Sequence, residues 1–200
     1  IKKDNFKIAS KIKLFDKYNS RLKTPSLIGQ AILKISKSLF KLKPDIFLVN
    51  ADRFETFAAA IASSQLGIPT FHIEGGDITE GGALDDNIRH AISKLSHIHF
   101  PATKNAAKKI HQMGEPIKNI TLAGAPALDG FLSKKRSKEE SFLRLTSNFK
   151  INLSDKIILI TFHPVTIDFD NEMDNLDIIF NALAKFNNKL IFTSPGADPN

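Results

Sequence analysis

The sequence predicts an α/β fold built on parallel sheets with helices on both faces. Three observations carry this. Strand-like apolar runs alternate with helical patterns from residue 25 to residue 122, joined by short connections. The runs are apolar at consecutive positions, as in Ile46-Phe47-Leu48-Val49, which marks strands buried on both sides. One run empties into a glycine- and acid-rich loop that leads into a helix, as open α/β sheets do where they build sites at strand C-termini.

The elements follow in order. Residues 25–42 read as a helix, with Leu27, Ile28, Ala31, Ile32, Ile35, Leu39 and Phe40 at helical spacing and Pro44 as its stop. Residues 46–49 form a strand, and Asn50 to Arg53 a polar turn. Phe54 to Leu66 is an Ala-rich helix ended by Gly67. Pro69 to Ile73 is the next strand. The glycine loop follows, then a helix from Asp85 to Leu95. Ile98 to Phe100 is a short strand, residues 103–113 a helix, and Ile120 to Leu122 another strand. Residues 133–150 break the rhythm with the charged run SKKRSKEESFLRL and read as a linker with a helix. A second α/β run then begins: KIILITF as strand, HPVT as turn, 175–186 as helix and KLIFTS as strand. The expected organisation is a first lobe over 1–132, the linker over 133–150, and the start of a second lobe over 151–200.

Composition narrows the function classes. An apolar fraction of 42% over 200 residues suffices for a sizeable core. No apolar run approaches the roughly 18 residues of a membrane span, and no charged-then-apolar leader opens the chain. The absence of cysteine removes disulfides and thiolate metal sites and fits a reducing, cytoplasmic setting. The net charge of +7 is concentrated in residues 1–43, which hold twelve Lys/Arg against two Asp. Lysine dominates, however, with 23 Lys to five Arg, and readers of bases and phosphates favour arginine. The basic stretch therefore reads as a solvated helix face, with neither nucleic acid nor membrane as a partner.

Chemistry concentrates between His72 and His90, HIEGGDITEGGALDDNIRH. Asp52 and Glu74 each follow a strand and emerge on one rim of the sheet. Asp85 and Asp86 fall in the first turn of the next helix, where carboxylates also serve as caps. Gly75, Gly76, Gly81 and Gly82 give backbone freedom and close approach. So many carboxylates would repel a phosphate, and neither phosphate-loop pattern is present. The loop better fits a hydroxyl-rich sugar, with paired carboxylates exchanging protons as acid and base. Arg89, four residues after Asp85, is spaced to pair with it along the helix and to orient a catalytic acid. His72, His90, His97, His99 and His111 lack zinc-site spacing, so no metal and no other cofactor is expected. His163 ends a strand before Pro164 and stands on the rim of the second lobe.

The run from Lys43 to Phe100, with GAPALDGF, ITFHPVT and SPGADPN after it, resembles the UDP-N-acetylglucosamine 2-epimerase family. The hydrolysing branch is the most similar. It releases UDP and N-acetylmannosamine for sialic-acid synthesis, and a close branch acts on UDP-diacetylbacillosamine. The resemblance implies two Rossmann-like lobes in the GT-B arrangement, both incomplete in these 200 residues, and a homodimer at full length. It implies elimination of UDP through a 2-acetamidoglucal, then hydration. It places catalytic groups at Asp52, Glu74, Asp85 and His163, with Arg89, Gly75, Gly76 and His72 binding or orienting the UDP-sugar. Reversible epimerisation, a GT-B glycosyltransferase and a non-catalytic relative are the alternatives. Where the family usually reads Gly-Asp-Arg, this chain reads Ala51-Asp52-Arg53. The missing initiator Met and the stop just after a strand suggest a fragment, and a fragment is expected to be inactive alone.

Overall fold

The computed structural model describes residues 5–15, 22–79, 84–133, 151–152, 154–162 and 172–193. The chain divides into two compact units, Ile1–Leu128 and Asp129–Asn200.

In the first unit, α1 (Lys23–Leu42) leads to β1 (Phe47–Asn50), α2 (Phe54–Gln65), β2 (Thr70–Ile73), α3 (Leu84–Leu95), β3 (Ile98–Phe100) and α4 (Lys104–Gln112). The strands pair in parallel in the order β1-β2-β3. This is the alternation the sequence predicts, because parallel neighbours need a crossover between them. Lys43 takes a left-handed conformation to end α1 before Pro44. Thr103 caps α4, its hydroxyl accepting from the Ala106 N–H at 3.0 Å.

The register decides what the sheet presents. Val49, His72 and His99 stand in one row, with Phe47 and Thr70 in a row on the same face. That face is covered: Val49 is 4% exposed and Thr70, His72 and His99 are fully buried. Small residues let the helices approach. Ala58, Ala59, Ala60, Ala62 and Ser63 of α2 are all buried, and Val49, Ala59, Ala60 and Ile92 form one core cluster. Leu39, Ala62 and Ile68 form a second. Between sheet and helices lies a polar layer: the Ser63 and Thr70 hydroxyls are 2.7 Å apart, and the Thr70 hydroxyl donates to the Ile68 carbonyl at 3.0 Å. The opposite face carries Leu48, Phe71, Ile73, Ile98 and Phe100, and the Phe71 and Phe100 rings meet at 6.1 Å.

Two local expectations are corrected. The strand expected over Ile120–Leu122 is a single bridge, Ile120 against His99, reached through a 3-10 turn at Ile117–Asn119. The Thr121 and Ala123 N–H groups still donate to the His99 and Pro101 carbonyls, so the chain lies along β3 without a regular ladder. A helix that the sequence did not suggest, α5 (Pro126–Ser133), follows.

The second unit pairs β4 (Ile157–Ile160) in parallel with β5 (Lys189–Phe192), with α6 (Glu172–Leu183) as the crossover. The Phe180 and Phe192 rings pack at 5.3 Å. Among the described residues, no helix is long and apolar enough to cross a membrane.

Candidate active site

The rim beyond β1 and β2 is shaped by two residues in the left-handed region, Ala51 at φ 58° and Glu74 at φ 60°. Neither is glycine, so each carries strain of about 1–2 kcal/mol. Each peptide is held by the neighbouring strand: the Ala51 N–H donates to the Ile73 carbonyl, and the Glu74 N–H to the Phe100 carbonyl, both at 3.0 Å. The turns put Asp52 and Glu74 on the same rim of adjacent strands, where the sequence places them.

Arg89 organises the acids. One guanidinium nitrogen pairs with Asp52, and the other donates to Asp86 and to the Asp77 carbonyl, each at 2.8 Å. The pair expected with Asp85 is made with Asp86 instead, because the first turn of α3 directs Asp86 inward. Asp86 is only 9% exposed. Both its oxygens accept from the Thr79 N–H, at 2.9 and 3.1 Å. Burial pushes the Asp86 carboxyl upward, but the Thr79 bonds and Arg89 outweigh it and hold it below the usual carboxylate range. Burial alone would weaken the Arg89 charge, yet Asp52 and Asp86 shift it the other way, so the guanidinium stays charged. Asp86, set aside as a cap in the sequence, is thus the clamp that fastens residues 77–79 to α3.

Glu74 is half-buried, and among the described residues its carboxylate has no hydrogen-bond or ion-pair partner. Asp85 is half-buried in the first turn of α3, one turn before Arg89. His163 lies outside the described residues, as do Glu80, Gly81 and Gly82.

Gly75 and Gly76 make close approaches to the protein itself. A Cβ on Gly75 would stand 2.7 Å from His72 Nδ1 and 2.8 Å from Ser93 Oγ. One on Gly76, whose φ is +88°, would stand 2.4 Å from the Ala106 carbonyl oxygen. Their smallness seats the loop on β2, α3 and α4.

His72 is fully buried beneath the rim. Its Nε2 lies 3.0 Å from the Ala51 carbonyl and its Nδ1 3.0 Å from Ser93 Oγ. Its pKa is lowered to about 4, chiefly by burial, with His99 on the next strand and Arg89 adding to the shift against the upward pull of the Ala51 carbonyl and Asp52. Ser93 was missed from sequence because a serine inside a helix reads as surface. Three other histidines have structural partners: His97 Nδ1 accepts the Thr70 N–H at 3.2 Å, His111 Nδ1 is 2.9 Å from the Glu115 carbonyl, and His99 Nε2 is 3.3 Å from the Glu115 carboxylate, whereas the buried Nδ1 atoms of His90 and His99 meet no hydrogen-bond partner among the described residues. Among the described residues no group of three His, Cys, Asp or Glu is arranged to hold a metal ion.

The profile of the UDP-N-acetylglucosamine 2-epimerase family matches residues 1–200. The chain belongs to this family. It is 33% identical over 198 residues to the UDP-N,N'-diacetylbacillosamine 2-epimerase (hydrolyzing) of Legionella pneumophila, covering 99% of this chain and 51% of that relative. It is 35% identical over 147 residues to the UDP-N-acetylglucosamine 2-epimerase of Neisseria meningitidis, covering 72% and 36%. The crystal structure of the Neisseria meningitidis UDP-GlcNAc 2-epimerase bound to UDP-GlcNAc superposes with a TM-score of 0.78 at 22% identity, over 92% of this chain and 51% of that one. The Methanocaldococcus jannaschii enzyme in complex with UDP-GlcNAc and UDP gives 0.73 at 20% identity, over 92% and 51%. The fold is that of these GT-B epimerases. The chain spans about half the length of the curated relatives it matches.

Proposed function

We propose that the full-length protein is a hydrolysing UDP-amino-sugar 2-epimerase. The observation that carries this reading is the rim: Asp52 is held by Arg89 on one strand end, while the Glu74 carboxylate on the next has no partner among the described residues. An anchored carboxylate beside an unengaged one suits a two-step proton transfer at a sugar carbon. On this reading a carboxylate removes the C2 proton, the C1–C2 double bond forms, and the C1–O bond breaks to release UDP. Water then returns OH to C1 and a proton to C2 on the opposite face, which gives the free epimerised sugar. Asp52, Glu74 and Asp85 supply the acid–base groups, and His163 serves the diphosphate. Arg89 orients Asp52.

UDP-N-acetylglucosamine is the proposed substrate and N-acetylmannosamine the product, made in the cytoplasm for sialic-acid biosynthesis by a homodimer. UDP-diacetylbacillosamine is the second reading, favoured by the similarity to the hydrolysing UDP-N,N'-diacetylbacillosamine 2-epimerase of Legionella pneumophila, which extends over 99% of this chain. The test is turnover of both UDP-sugars by the full-length protein in deuterated water. The reading expects free 2-epimerised sugar with deuterium at C2. Transfer of the sugar to an acceptor, or an epimerised sugar still attached to UDP, would displace it.

A further inference from the structure

The catalytic assignment leaves a buried histidine unused. His72 sits between the sheet and α3 and faces the rim only through the protein. We propose that His72 is a positioning residue for Asp52: its Nε2–H holds the Ala51 carbonyl, and so the left-handed turn that aims the carboxylate at Arg89. The inference rests on the reading of Asp52 as a member of the catalytic rim.

The hydrogen-bond pattern determines the tautomer. The Ala51 carbonyl only accepts, so Nε2 must carry the proton. A ring kept neutral by burial then offers a lone pair at Nδ1. Ser93 Oγ donates to the Arg89 carbonyl at 3.1 Å and stands 3.0 Å from Nδ1, so its single proton is shared between these two acceptors. His72, Ser93 and Ala51 thus tie α3 to the end of β1 through β2. Gly75 is part of the device, since a Cβ there would stand on His72 Nδ1 and Ser93 Oγ. The charged and titratable groups around the ring are His99 on β3, Asp52 on the β1 turn and Arg89 on α3. The strain at Ala51 explains the need: without a held carbonyl, a non-glycine residue at φ 58° would relax toward the common regions and carry Asp52 with it.

The experiment compares His72→Asn with His72→Gln in the full-length protein. The Gln amide places an N–H near the position of Nε2 and so reaches Ala51. The Asn amide stands near Nδ1 and reaches only Ser93. Displacing a catalytic group by about 1 Å costs about 100-fold in rate. His72→Asn should lose about that in kcat with KM changed less than about threefold, and His72→Gln should recover to within about tenfold of the parent. Ser93→Ala should lower kcat in the parent, because the contact that orients the ring at Nδ1 is lost. Crystal structures should show Asp52 displaced from Arg89 in the Asn variant and restored in the Gln variant. An Asn variant with parental kcat, a Gln variant as impaired as the Asn variant, or an unmoved Asp52 in the Asn variant would overturn the inference. If the parent turns over neither UDP-sugar, the functional reading fails, and the two crystal structures decide the positioning of Asp52 independently.

Discussion

His72 makes the first unit acid-labile by a calculable amount. Burial lowers the imidazole from 6.5 to about 4 in the folded protein. The unfolded chain therefore accepts a proton near 6.5 that the folded protein refuses until about 4. Stability from this group is complete above pH 6.5 and drains away as pH falls toward 4. The slope is about 1.4 kcal/mol per pH unit, so the whole window is worth about 3 kcal/mol. His90 and His99 are also lowered, each chiefly by burial, and add slope of the same sign. Replacing His72 by Gln isolates its share, because Gln keeps the bond to Ala51 and cannot titrate. Urea midpoints measured from pH 7.5 to 4 for parent and variant, at constant m-value, give the difference. The parent should lose about 3 kcal/mol more than His72→Gln across that range. Parallel profiles would mean that the ring is already charged in the folded protein or open to water, and would refute both its burial and its tautomer.

Three further outcomes follow from the packing. Arg89→Met strands Asp86 at 9% exposure and Asp52 beside it, and should cost about 3 kcal/mol by urea unfolding; a loss under about 1 kcal/mol would show that the Thr79 bonds suffice. Glu74→Gln removes a carboxylate with no partner among the described residues, so stability should hold within about 0.5 kcal/mol while kcat falls by about 100-fold or more; unchanged turnover would take Glu74 out of the site. Gly76→Ala drives a Cβ to 2.4 Å from the Ala106 carbonyl at a φ of +88° and should destabilise by about 3 kcal/mol; a neutral midpoint would mean the loop is not seated on α4.

The strand–helix alternation was readable because each buried strand is a short apolar run bracketed by proline, glycine or a polar turn. The positions of Asp52 and Glu74 at strand ends followed from that alone. Other features depend on information that a linear pattern does not carry. Asp85 and Asp86 are neighbours about 100° apart on a helix, and a shift of one residue in its start exchanges which faces inward. The inward choice of Asp86 redirected Arg89 from the expected pair with Asp85 to a pair with Asp86, its other nitrogen reaching Asp52. Ser93 escaped notice because its burial depends on His72 lying across from it, a contact 21 residues distant. α5 is short and holds Gly130, a poor helix former, so no helical pattern stands out there, and Ile120–Leu122 is too short for its apolar run to distinguish a bridge from a ladder.

The polar layer and the strained turns form one argument. A sheet face destined to lie under helices would ordinarily be filled with aliphatic side chains, and here the opposite face holds Leu48, Phe71, Ile73, Ile98 and Phe100. The covered face instead carries Thr70, His72 and His99, each of which needs a partner once removed from water. An aliphatic residue at position 72 would pack as well, but it could not hold the carbonyl of Ala51. The left-handed turns at Ala51 and Glu74 persist because hydrogen bonds from the next strand, and at Ala51 also from His72, oppose strain of about 1–2 kcal/mol each. Directional bonds fix an angle where apolar contact fixes only a distance. The buried histidine thus belongs to the geometry of the rim, and an aliphatic core at that point would leave Asp52 free to turn away from Arg89.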